Sequence, residues 1–386
     1  MKKIRLGDAC DILNGFAFKS ENYVDSGIRV IRIANVQKGY IEDNTPAFYP
    51  LETNELDRYM LEEGDLLMSL TGNVGRVAIL KKEFMPAALN QRVACLRLKT
   101  DRITKDYLFH VLNSDFFEQQ CIQSSKGVAQ KNMSTEWLKD YEIPMYSKEQ
   151  QESIAYILDK TKNIIISQNH ELQKLNDLIK ARFVELFGDP IKNPKGWEVV
   201  TIGDVVTEVR YGTSKPAVEG GKYPYLRMNN LTADGHLDLN DLKYIDIPGD
   251  EIEKCVVRKG DVLFNRTNSI ELVGKTTVFD LSEDMIIAGY IIRVRLNERL
   301  LPEVLSQYMN LEALKDILRS MAKGAVNQAN INAQELQSIK VYIPDIKLQK
   351  QFVEMKEQVD KSKVAVQRAL DETQLLFDSL MQKYFG

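Results

Sequence analysis

The chain has 386 residues, 44% of them hydrophobic, and a net charge of −4 at pH 7. This acidity excludes a protein that binds nucleic acid by bulk attraction alone, because such a protein should be basic. The sequence has no apolar run of about 18 residues and begins with a polar segment, so we expect neither a membrane span nor a secretory signal, but a cytoplasmic protein.

Residues 1–145 predict a first globular domain of mixed strands and helix. Short runs rich in β-branched residues, with partial alternation, are typical of strands. They lie at residues 30–33, 65–70, 77–80 and 93–98. One amphipathic helix is expected near residues 104–122. Because strands and helix are mixed within one domain, we assign it to the α+β class.

Residues 146–188 predict one long helix. Ser147 and Gln150 have the S-x-x-Q form of a capping box, and no Gly or Pro follows before Gly188. Apolar residues recur every seven positions, with a second, weaker series between them. The two series are Leu158, Ile165, Leu172, Ile179, Leu186 and Ile154, Thr161, Gln168, Leu175, Arg182.

Residues 189–344 predict a linker and a second domain, and residues 345–386 predict a second long helix. Strands are expected at residues 225–228, 262–264 and 290–296, and a helix near 302–322. Asp345 is the expected N-cap of the last helix. Its two heptad series are Phe352, Val359, Val366, Thr373, Leu380 and Leu348, Met355, Ser362, Ala369, Leu376.

Sustained heptads favour a coiled coil over a helix that packs only on its own domain, which is the alternative interpretation. A helix of about 38 residues is also about 57 Å long, more than a small domain is wide. We expect the two helices to pair antiparallel. They would then hold the two domains apart and relate them by an approximate two-fold rotation.

The second half of the chain repeats the first at an offset of 195 to 198 residues. A period this long indicates two related domains rather than a solenoid. The paired landmarks are Leu6-Gly7-Asp8 with Ile202-Gly203-Asp204, Arg32-Ile33-Ala34-Asn35 with Arg227-Met228-Asn229-Asn230, Gly64-Asp65-Leu66-Leu67 with Gly260-Asp261-Val262-Leu263, and Phe187-Gly188 with Phe385-Gly386.

The doubled order of these landmarks, each set followed by a heptad helix, resembles the specificity subunit of Type I restriction-modification systems. Further matching segments are Ile143-Pro144 before Gln150-Gln151, Ile343-Pro344 before Gln349, and Asn193-Pro194-Lys195-Gly196-Trp197. Such subunits have two target-recognition domains, each followed by a spacer helix.

The resemblance implies a non-catalytic subunit that binds double-stranded DNA with a split target and takes part in DNA methylation. It would bind two methyltransferase subunits, which use S-adenosylmethionine, and restriction or motor subunits, which use ATP and magnesium. We expect this chain itself to bind no cofactor and no metal.

Sequence reading requires Arg, Lys, Asn or Gln at base edges, with Ser, Thr and backbone amides on phosphates. We predict DNA contact from polar loops that follow strands, although solvated turns would have the same composition. The candidates in the first domain are Lys38, Ser69, Thr71, Asn73, Arg76, Asn90, Gln91, Arg92, Lys126 and Lys131. Those in the second are Arg210, Tyr211, Thr213, Lys215, Asn229, Asn230, Asn265, Arg266, Thr267, Asn268, Lys323, Asn327 and Gln328. Arg32 and Arg227 are expected to be ion-paired scaffold.

Two other functions compete with DNA recognition. One is a two-headed coiled-coil adaptor for protein partners, which the net acidity favours slightly. The other is a self-contained methyltransferase, although Asn193-Pro194-Lys195 lacks the second Pro and the aromatic of that motif. Gly274-Lys275-Thr276 resembles the end of a phosphate-binding loop, but Ser269 stands where the first Gly is required. The scattered cysteines, Cys10, Cys95, Cys121 and Cys255, indicate reduced, buried thiols rather than a zinc site.

Overall fold

The computed structural model describes residues 2–52, 54–125, 131–325 and 328–386, without the side chains of residues 54, 323–325 and 328. Within these ranges no helix is both long and apolar enough to cross a membrane. The chain forms two compact units. Unit 1 contains residues 1–168 and 369–386, and unit 2 contains residues 169–368, so each long helix contributes to both units.

Unit 1 contains short strands and four helices besides its shares of the long ones, as far as the structure describes it. Its strands are β1 (Lys3–Arg5), β2 (Cys10–Asn14), β3 (Ile28–Ile31), β4 (Val36–Gln37), β5 (Tyr40–Ile41), β6 (Phe48–Tyr49), β7 (Leu66–Ser69), β8 (Val77–Ile79), β9 (Ala87–Leu89), β10 (Val93–Leu98) and β11 (Glu142–Pro144). Its helices are α1 (Leu6–Ala9), α2 (Lys105–Leu112), α3 (Asp115–Ser124) and α4 (Thr135–Asp140), followed by the first long helix, α5 (Lys148–Phe187).

Among the described residues, unit 2 has a similar but larger set of strands. Its strands are β12 (Glu198–Thr201), β13 (Val206–Tyr211), β14 (Tyr223–Leu226), β15 (Lys243–Ile245), β16 (Val256–Val257), β17 (Val262–Asn265), β18 (Thr267–Asn268), β19 (Thr276–Val278), β20 (Met285–Ile287), β21 (Ile291–Leu296), β22 (Lys323–Ala325), β23 (Gln328–Asn330) and β24 (Lys340–Ile343). Its helices are α6 (Gly249–Cys255), α7 (Pro302–Asn310), α8 (Glu312–Met321) and α9 (Ala333–Ser338), followed by the second long helix, α10 (Ile346–Phe385).

The two units share one sheet topology. The main antiparallel sheet has the order β2-β10-β7-β8 in unit 1 and β13-β21-β17-β19 in unit 2. Each unit also pairs one strand in parallel, β3 with β9 and β14 with β20. The first strand of each domain pairs with the strand that precedes the long helix, β1 with β11 and β12 with β24. The sequence repeat is therefore a repeat of fold.

The main sheets are covered on both faces, which explains why their central strands are continuously apolar. Successive side chains of a strand point to opposite faces. Leu66 and Met68 of β7 accordingly pack in one core with α2 and α3, while Leu67 packs in another core. In unit 2, Val262 and Leu263 divide between two cores in the same way.

Each single helix predicted near residues 104–122 and 302–322 is wrong, because two helices occupy each range. Ser114 separates α2 from α3. Its hydroxyl donates to the Val111 carbonyl at 2.7 Å and accepts from the Phe117 amide at 3.2 Å, so it caps the second helix. In unit 2, Leu311 is extended between α7 and α8.

The predicted caps of both long helices are confirmed. The Ser147 amide donates to Gln150 Oε1 at 3.1 Å and the Gln150 amide donates to Ser147 Oγ at 3.3 Å, which completes the capping box. At the start of α10, Asp345 Oδ1 accepts from the Lys347 amide at 2.7 Å.

A buried glutamine fastens each long helix to its domain. Gln151 and Gln349 are both fully buried. Gln151 Oε1 accepts from the Thr104 amide at 2.8 Å, and its Nε2 donates to the Arg102 carbonyl at 2.8 Å. Gln349 makes the same contacts with the Leu301 amide at 2.9 Å and the Arg299 carbonyl at 2.9 Å. Both helices are thus fixed by one device.

The long helices pair antiparallel, as predicted. In unit 1, Leu158 near the start of α5 shares a core with Phe385 at the end of α10. In unit 2, Phe183 and Phe187 near the end of α5 lie 5.4 and 5.6 Å from the Phe352 ring near the start of α10. Because the start of each helix meets the end of the other, they run in opposite directions.

Two predicted seam positions of α10 are wrong. Ser362 is exposed, and Leu376 has 53% of its surface exposed. Phe377 and Met381, which lie outside the predicted series, pack on the core of unit 1 together with the predicted Leu380. The end of α10 packs against domain 1 as well as α5, so its apolar stripe is broader than a two-helix seam.

Candidate nucleic-acid interface

The topology brings the predicted loops of each domain to one edge of its main sheet. In unit 2, β13 and β17 both run antiparallel to β21, so both end where β21 begins. The strand β14 runs parallel to β20 and ends beside it. Residues 211–215, 227–229, 266–268 and 288–290 therefore meet, and we call this the loop edge of domain 2.

An open cleft of about 1030 Å³ lies at the loop edge of domain 2. Polar, basic and aromatic side chains line it. They include Thr213, Ser214, Lys215, Tyr225, Arg227, Asn229, Arg266, Thr267, Tyr290 and Asn330. Aromatic and guanidinium groups stack on bases, while amide groups hydrogen-bond to base edges. The lining is therefore of the kind that nucleic acid requires.

A glycine in each domain allows two backbones to cross at this edge. A Cβ at Gly212 would overlap the carbonyl oxygens of Ile287 and Ala288, and a Cβ at Gly15 would overlap Leu89 and Asn90 in the same way. Any other residue would push the loops apart. This matched pair was missed in the sequence, although the spacing of the two glycines follows the repeat.

The basic side chains of the domain 2 cleft differ in how they are held. Lys215 Nζ donates to Glu251 at 2.8 Å, and Arg227 Nη2 donates to Asp241 Oδ2 at 2.7 Å. The ion pair of Arg227 agrees with its predicted scaffold role, although Arg227 follows β14 rather than lying in a strand. The same prediction is wrong for Arg32 among the described residues, because Arg32 follows β3 and donates to the Thr45 carbonyl rather than to a carboxylate. The guanidinium of Arg266 lies over the Tyr211 ring at 4.8 Å. Arg210 Nε donates to Glu208 at 3.1 Å.

Adjacent predicted asparagines have different surroundings. Asn229 is exposed and lines the cleft. Asn230 is buried, where its Oδ1 accepts from the Arg227 amide at 2.8 Å and its Nδ2 donates to the Asp238 carbonyl at 2.8 Å. Asn35 repeats these contacts with the Arg32 amide and the Glu42 carbonyl. The R-x-x-N landmark is thus a structural turn.

Other predicted contact residues also support the loops from inside. Ser69 and Asn265 are buried at equivalent strand ends. Ser69 Oγ accepts from the Arg76 amide at 3.1 Å, and Asn265 Oδ1 accepts from the Thr267 amide at 3.2 Å. Thr267 is buried against Asn330. These side chains are engaged by the protein itself, so direct DNA contact is better sought at their exposed neighbours.

The loop edge of domain 1 is built from the equivalent segments. The Leu70 amide donates to the Arg92 carbonyl at 2.9 Å, and the Gly72 amide donates to the Lys131 carbonyl at 2.9 Å. These bonds bring together the predicted residues Thr71, Asn73, Asn90, Gln91, Arg92 and Lys131. Gln91, Arg92 and Lys131 are exposed. DNA contact by this group stays a prediction.

The side chains of Arg76 and Lys38 are engaged by other residues of domain 1. Arg76 donates to Gln37 Oε1. Lys38 pairs with Asp115 and Glu118 and lines a different cleft, with Asp378 of α10. The structure thus places Lys38 near a long helix, so the loop that follows Asn35 is not part of the domain 1 loop edge.

Some predicted residues fall outside the described part of the chain. Lys126 and Asn327 lie in the gaps, and only the backbones of Lys323 in β22 and Gln328 in β23 are described. Asn268 lies in β18, which pairs with β23. The four cysteines are buried and free, as predicted, and the described residues contain no group of His, Cys, Asp and Glu suited to a metal ion.

Comparison with known proteins gives concordant results. The family model described as "Type I restriction modification DNA specificity domain" matches residues 1–177 and 194–373. The chain is 23% identical over 399 residues to the Type I restriction enzyme EcoKI specificity subunit of Escherichia coli (strain K12), covering 97% of this chain and 86% of the relative. It is 24% identical over 419 residues to the EcoBI specificity subunit of Escherichia coli, covering 99% and 85%.

Solved structures show the same fold. The Type I restriction-modification S subunit from M. genitalium matches with a TM-score of 0.60 at 15% identity, covering 100% of this chain and 96% of that chain. A chain from a structure describing complex assembly and conformational transition of the type I R-M system matches with a TM-score of 0.57 at 18% identity, covering 100% and 97%.

Proposed function

Because the chain belongs to the family of Type I restriction modification DNA specificity domains, we propose that it is the DNA-recognition subunit of a Type I restriction-modification complex. It reads a bipartite target in double-stranded DNA and positions adenine methyltransferase subunits and motor-nuclease subunits there. The observation that most strongly supports this proposal is that both domains have a loop edge. Two domains of one fold each present polar loops at the same edge of the sheet, and each is continuous with a helix of an antiparallel pair.

The half-sites differ in sequence because the two loop edges differ in side chains. Arg92 and Lys131 are exposed in domain 1, whereas Arg266, Lys215 and Asn229 line the cleft of domain 2. Side chains at base edges determine which bases are read. One chain therefore recognises an asymmetric DNA target, and each domain reads one part of it.

The subunit itself is non-catalytic in this proposal. S-adenosylmethionine would be held by two methyltransferase subunits, and ATP with magnesium by the motor-nuclease subunits. Many of the basic groups described here are already paired with acids, as in Lys215–Glu251 and Arg227–Asp241. We therefore expect tight DNA binding to need the added positive charge or contacts of the methyltransferase subunits.

The helix pair sets the unread spacer between the half-sites. One heptad added at the middle of both α5 and α10 lengthens the pair by about 10 Å, at about 1.5 Å per residue. With about 3.4 Å per base pair, the spacer should widen by about 3 base pairs while both half-sites stay the same. Sequencing of methylated adenines in DNA modified by the assembled complex measures this.

The control carries seven residues inserted between Ser282 and Glu283, which lie in an exposed turn before β20, and it should keep the original spacer. An unchanged spacer in the lengthened variant contradicts the ruler role. Absence of any sequence preference in the parent complex contradicts DNA recognition altogether. Tight binding of S-adenosylmethionine to the isolated chain would favour a self-contained methyltransferase instead.

A further inference from the structure

We infer that Arg266 reads a guanine in the half-site of domain 2. The inference rests on the proposed function and deepens it, since it assigns base chemistry to one residue at one loop edge.

The backbone of Arg266 is held from both sides. Its amide donates to the Tyr290 carbonyl at 2.9 Å, and its carbonyl accepts from the Ile331 amide at 2.9 Å. It lies between β17 and β18, so strands precede and follow it directly. A side chain that starts from such a rigid position is better suited to specificity than one on a long loop.

The guanidinium of Arg266 is held by an aromatic ring and has no ion-pair partner among the described residues. Its Cζ lies 4.8 Å from the centre of the Tyr211 ring, a cation–π geometry. The ring is itself fixed, because the Tyr211 hydroxyl accepts from the Ala333 amide at 2.8 Å. Arg266 Nε is buried without a hydrogen-bond partner in the described structure. The terminal Nη1 and Nη2 atoms also have no hydrogen bond or ion pair with the described residues, and Arg266 lines the cleft, so these donors are available to a ligand there.

Arg266 differs in this respect from the other arginines of domain 2. Each of the others has a carboxylate within 4.0 Å, whereas Arg266 has none among the described residues. Even Arg227, in the same cleft, donates to Asp241. A paired arginine must break an ion pair before it can read a base. Arg266 needs no such exchange.

Guanine is the base that this group fits. Its O6 and N7 form a pair of acceptors in the major groove that matches the two-donor fork of a guanidinium, and this is the commonest specific arginine contact. Lysine carries the charge but lacks the planar fork. Glutamine in the same place pairs with adenine N6 and N7. The identity of residue 266 should therefore set the preferred base at one position.

Domain 1 has the opposite arrangement at the equivalent pair of positions. Leu70 has the backbone contacts of Arg266, because its amide donates to the Arg92 carbonyl and its carbonyl accepts from the Met133 amide. Leu70 is buried, with 6% of its surface exposed, and Arg92 is exposed. Of the pair Leu70 and Arg92 in domain 1, the second residue is basic. Of the equivalent pair Arg266 and Tyr290 in domain 2, the first residue is basic. Domain 1 therefore cannot read a guanine from this position, because Leu70 has no hydrogen-bond donor in its side chain.

The test uses the complex of the full chain with its methyltransferase subunits and a duplex library randomised across both half-sites. Selection and sequencing give the base preference at each position for the parent, Arg266→Gln, Arg266→Lys and the control Arg299→Gln. Arg299 is an exposed arginine paired with Glu198. Melting curves verify that each variant is folded.

In the parent, one position of the domain 2 half-site should be guanine. Arg266→Gln should reduce that preference by about 5- to 150-fold, the range for one bidentate contact, and Arg266→Lys should reduce it less, because lysine can also donate to guanine O6 and N7 but lacks the planar fork. The other positions, the domain 1 half-site and the control should be unchanged. Lysine retains the charge, so a loss with lysine excludes a purely electrostatic role.

The inference is overturned if both folded variants keep the guanine preference, or if they weaken all sequences equally and lower only the salt dependence, as a phosphate contact would. If glutamine prevents folding, the lysine variant decides alone. A parent complex with no base preference at any position contradicts the proposed function itself, which distinguishes the two failures.

Discussion

The junctions between the two domains and their long helices share a buried glutamine but differ in the contacts of a histidine. Gln151 and Gln349 make matching buried hydrogen bonds at the start of α5 and α10. Further along, the units diverge. Buried His110 lies 2.9 Å from Asp159 of α5, whereas His236 lies 3.2 Å from Asp234 and 3.2 Å from Asp360 of α10. The shared device fixes geometry, and the rest of each junction can vary in charge.

Electrostatics gives the two histidines opposite character. Burial lowers the pKa of His110 below its ordinary value, although Asp159 opposes this effect. The neighbouring carboxylates of Asp234 and Asp360 raise the pKa of His236. Burial alone would raise the pKa of Asp360, but His236 and Lys356 lower it to about 2. The junction in unit 1 therefore favours a neutral imidazole and that in unit 2 a charged one.

The largest effect is expected where the two helices meet in unit 2. Phe352→Ala removes a fully buried ring that contacts Phe183 and Phe187. The free energy of unfolding of unit 2 should fall by about 3–5 kcal/mol because a cavity remains. Denaturant unfolding followed by fluorescence of Trp197 in a Trp137→Phe background reports on this unit. Val364→Ala, at a position 71% exposed, should have little effect; equal losses would contradict the core assignment.

The glutamines should give a smaller effect that is equal in the two units. Gln151→Leu and Gln349→Leu each leave an amide and carbonyls of the preceding loop without partners. Each should lower the free energy of unfolding of its unit by about 1–3 kcal/mol. Trp137 fluorescence in a Trp197→Phe background reports on unit 1, and the converse background reports on unit 2. Gln351→Leu is the exposed control. A loss confined to one unit would refute the equivalence of the junctions.

The smallest effects, about 0.5–1 kcal/mol, should depend on pH with opposite signs. Because its folded-state pKa is raised, His236 stabilises the protein fully below its unfolded pKa of about 6.5, and this stability is lost as the pH rises through the folded-state pKa. The difference in the free energy of unfolding between the parent and His236→Gln should therefore become smaller from pH 6 towards pH 9.

For His110 the sign reverses. Because its folded-state pKa is lowered, neutral His110 does not reduce the free energy of unfolding above its unfolded pKa of about 6.5. The free energy of unfolding falls as the pH falls through that value towards the folded-state pKa. The gap between the parent and His110→Gln should narrow on acidification. Urea titrations at a series of pH values measure both gaps, and a change in the same direction for the two variants would show that the junctions do not differ as described.

The architecture could be predicted from the sequence because its signals are local or repeated. Heptads and caps depend on short spacing and the landmarks recur in one order, and the structure confirms the caps, the repeat and the antiparallel helix pair. Tertiary contacts set the exceptions. The heptad spacing of α10 places Leu376 in the seam and leaves Phe377 out of it, whereas Leu376 is exposed and Phe377 packs on domain 1. Ser114 divides a helix because its hydroxyl finds two backbone partners.

The candidate interface was predictable only as loops. Asn229 and Asn230 are neighbours of one type, yet one lines the cleft and the other is buried in a turn. Tyr290 was missed because a tyrosine at the start of a predicted strand gives no sign of exposure, although it is 51% exposed at the loop edge. Comparing the two copies at aligned backbone positions would have drawn attention to it.

The division of the two units through both long helices has a consequence for biosynthesis. Phe385 contacts Tyr107 with ring centres 5.7 Å apart and belongs to the core of the first unit. Phe385 is translated more than 200 positions after the main sheet of unit 1, which ends at Leu98. The amino-terminal part of unit 1 is therefore incompletely packed until residues 369–386 have been translated, and proteases should cut this part of the nascent chain more readily before that point than after it.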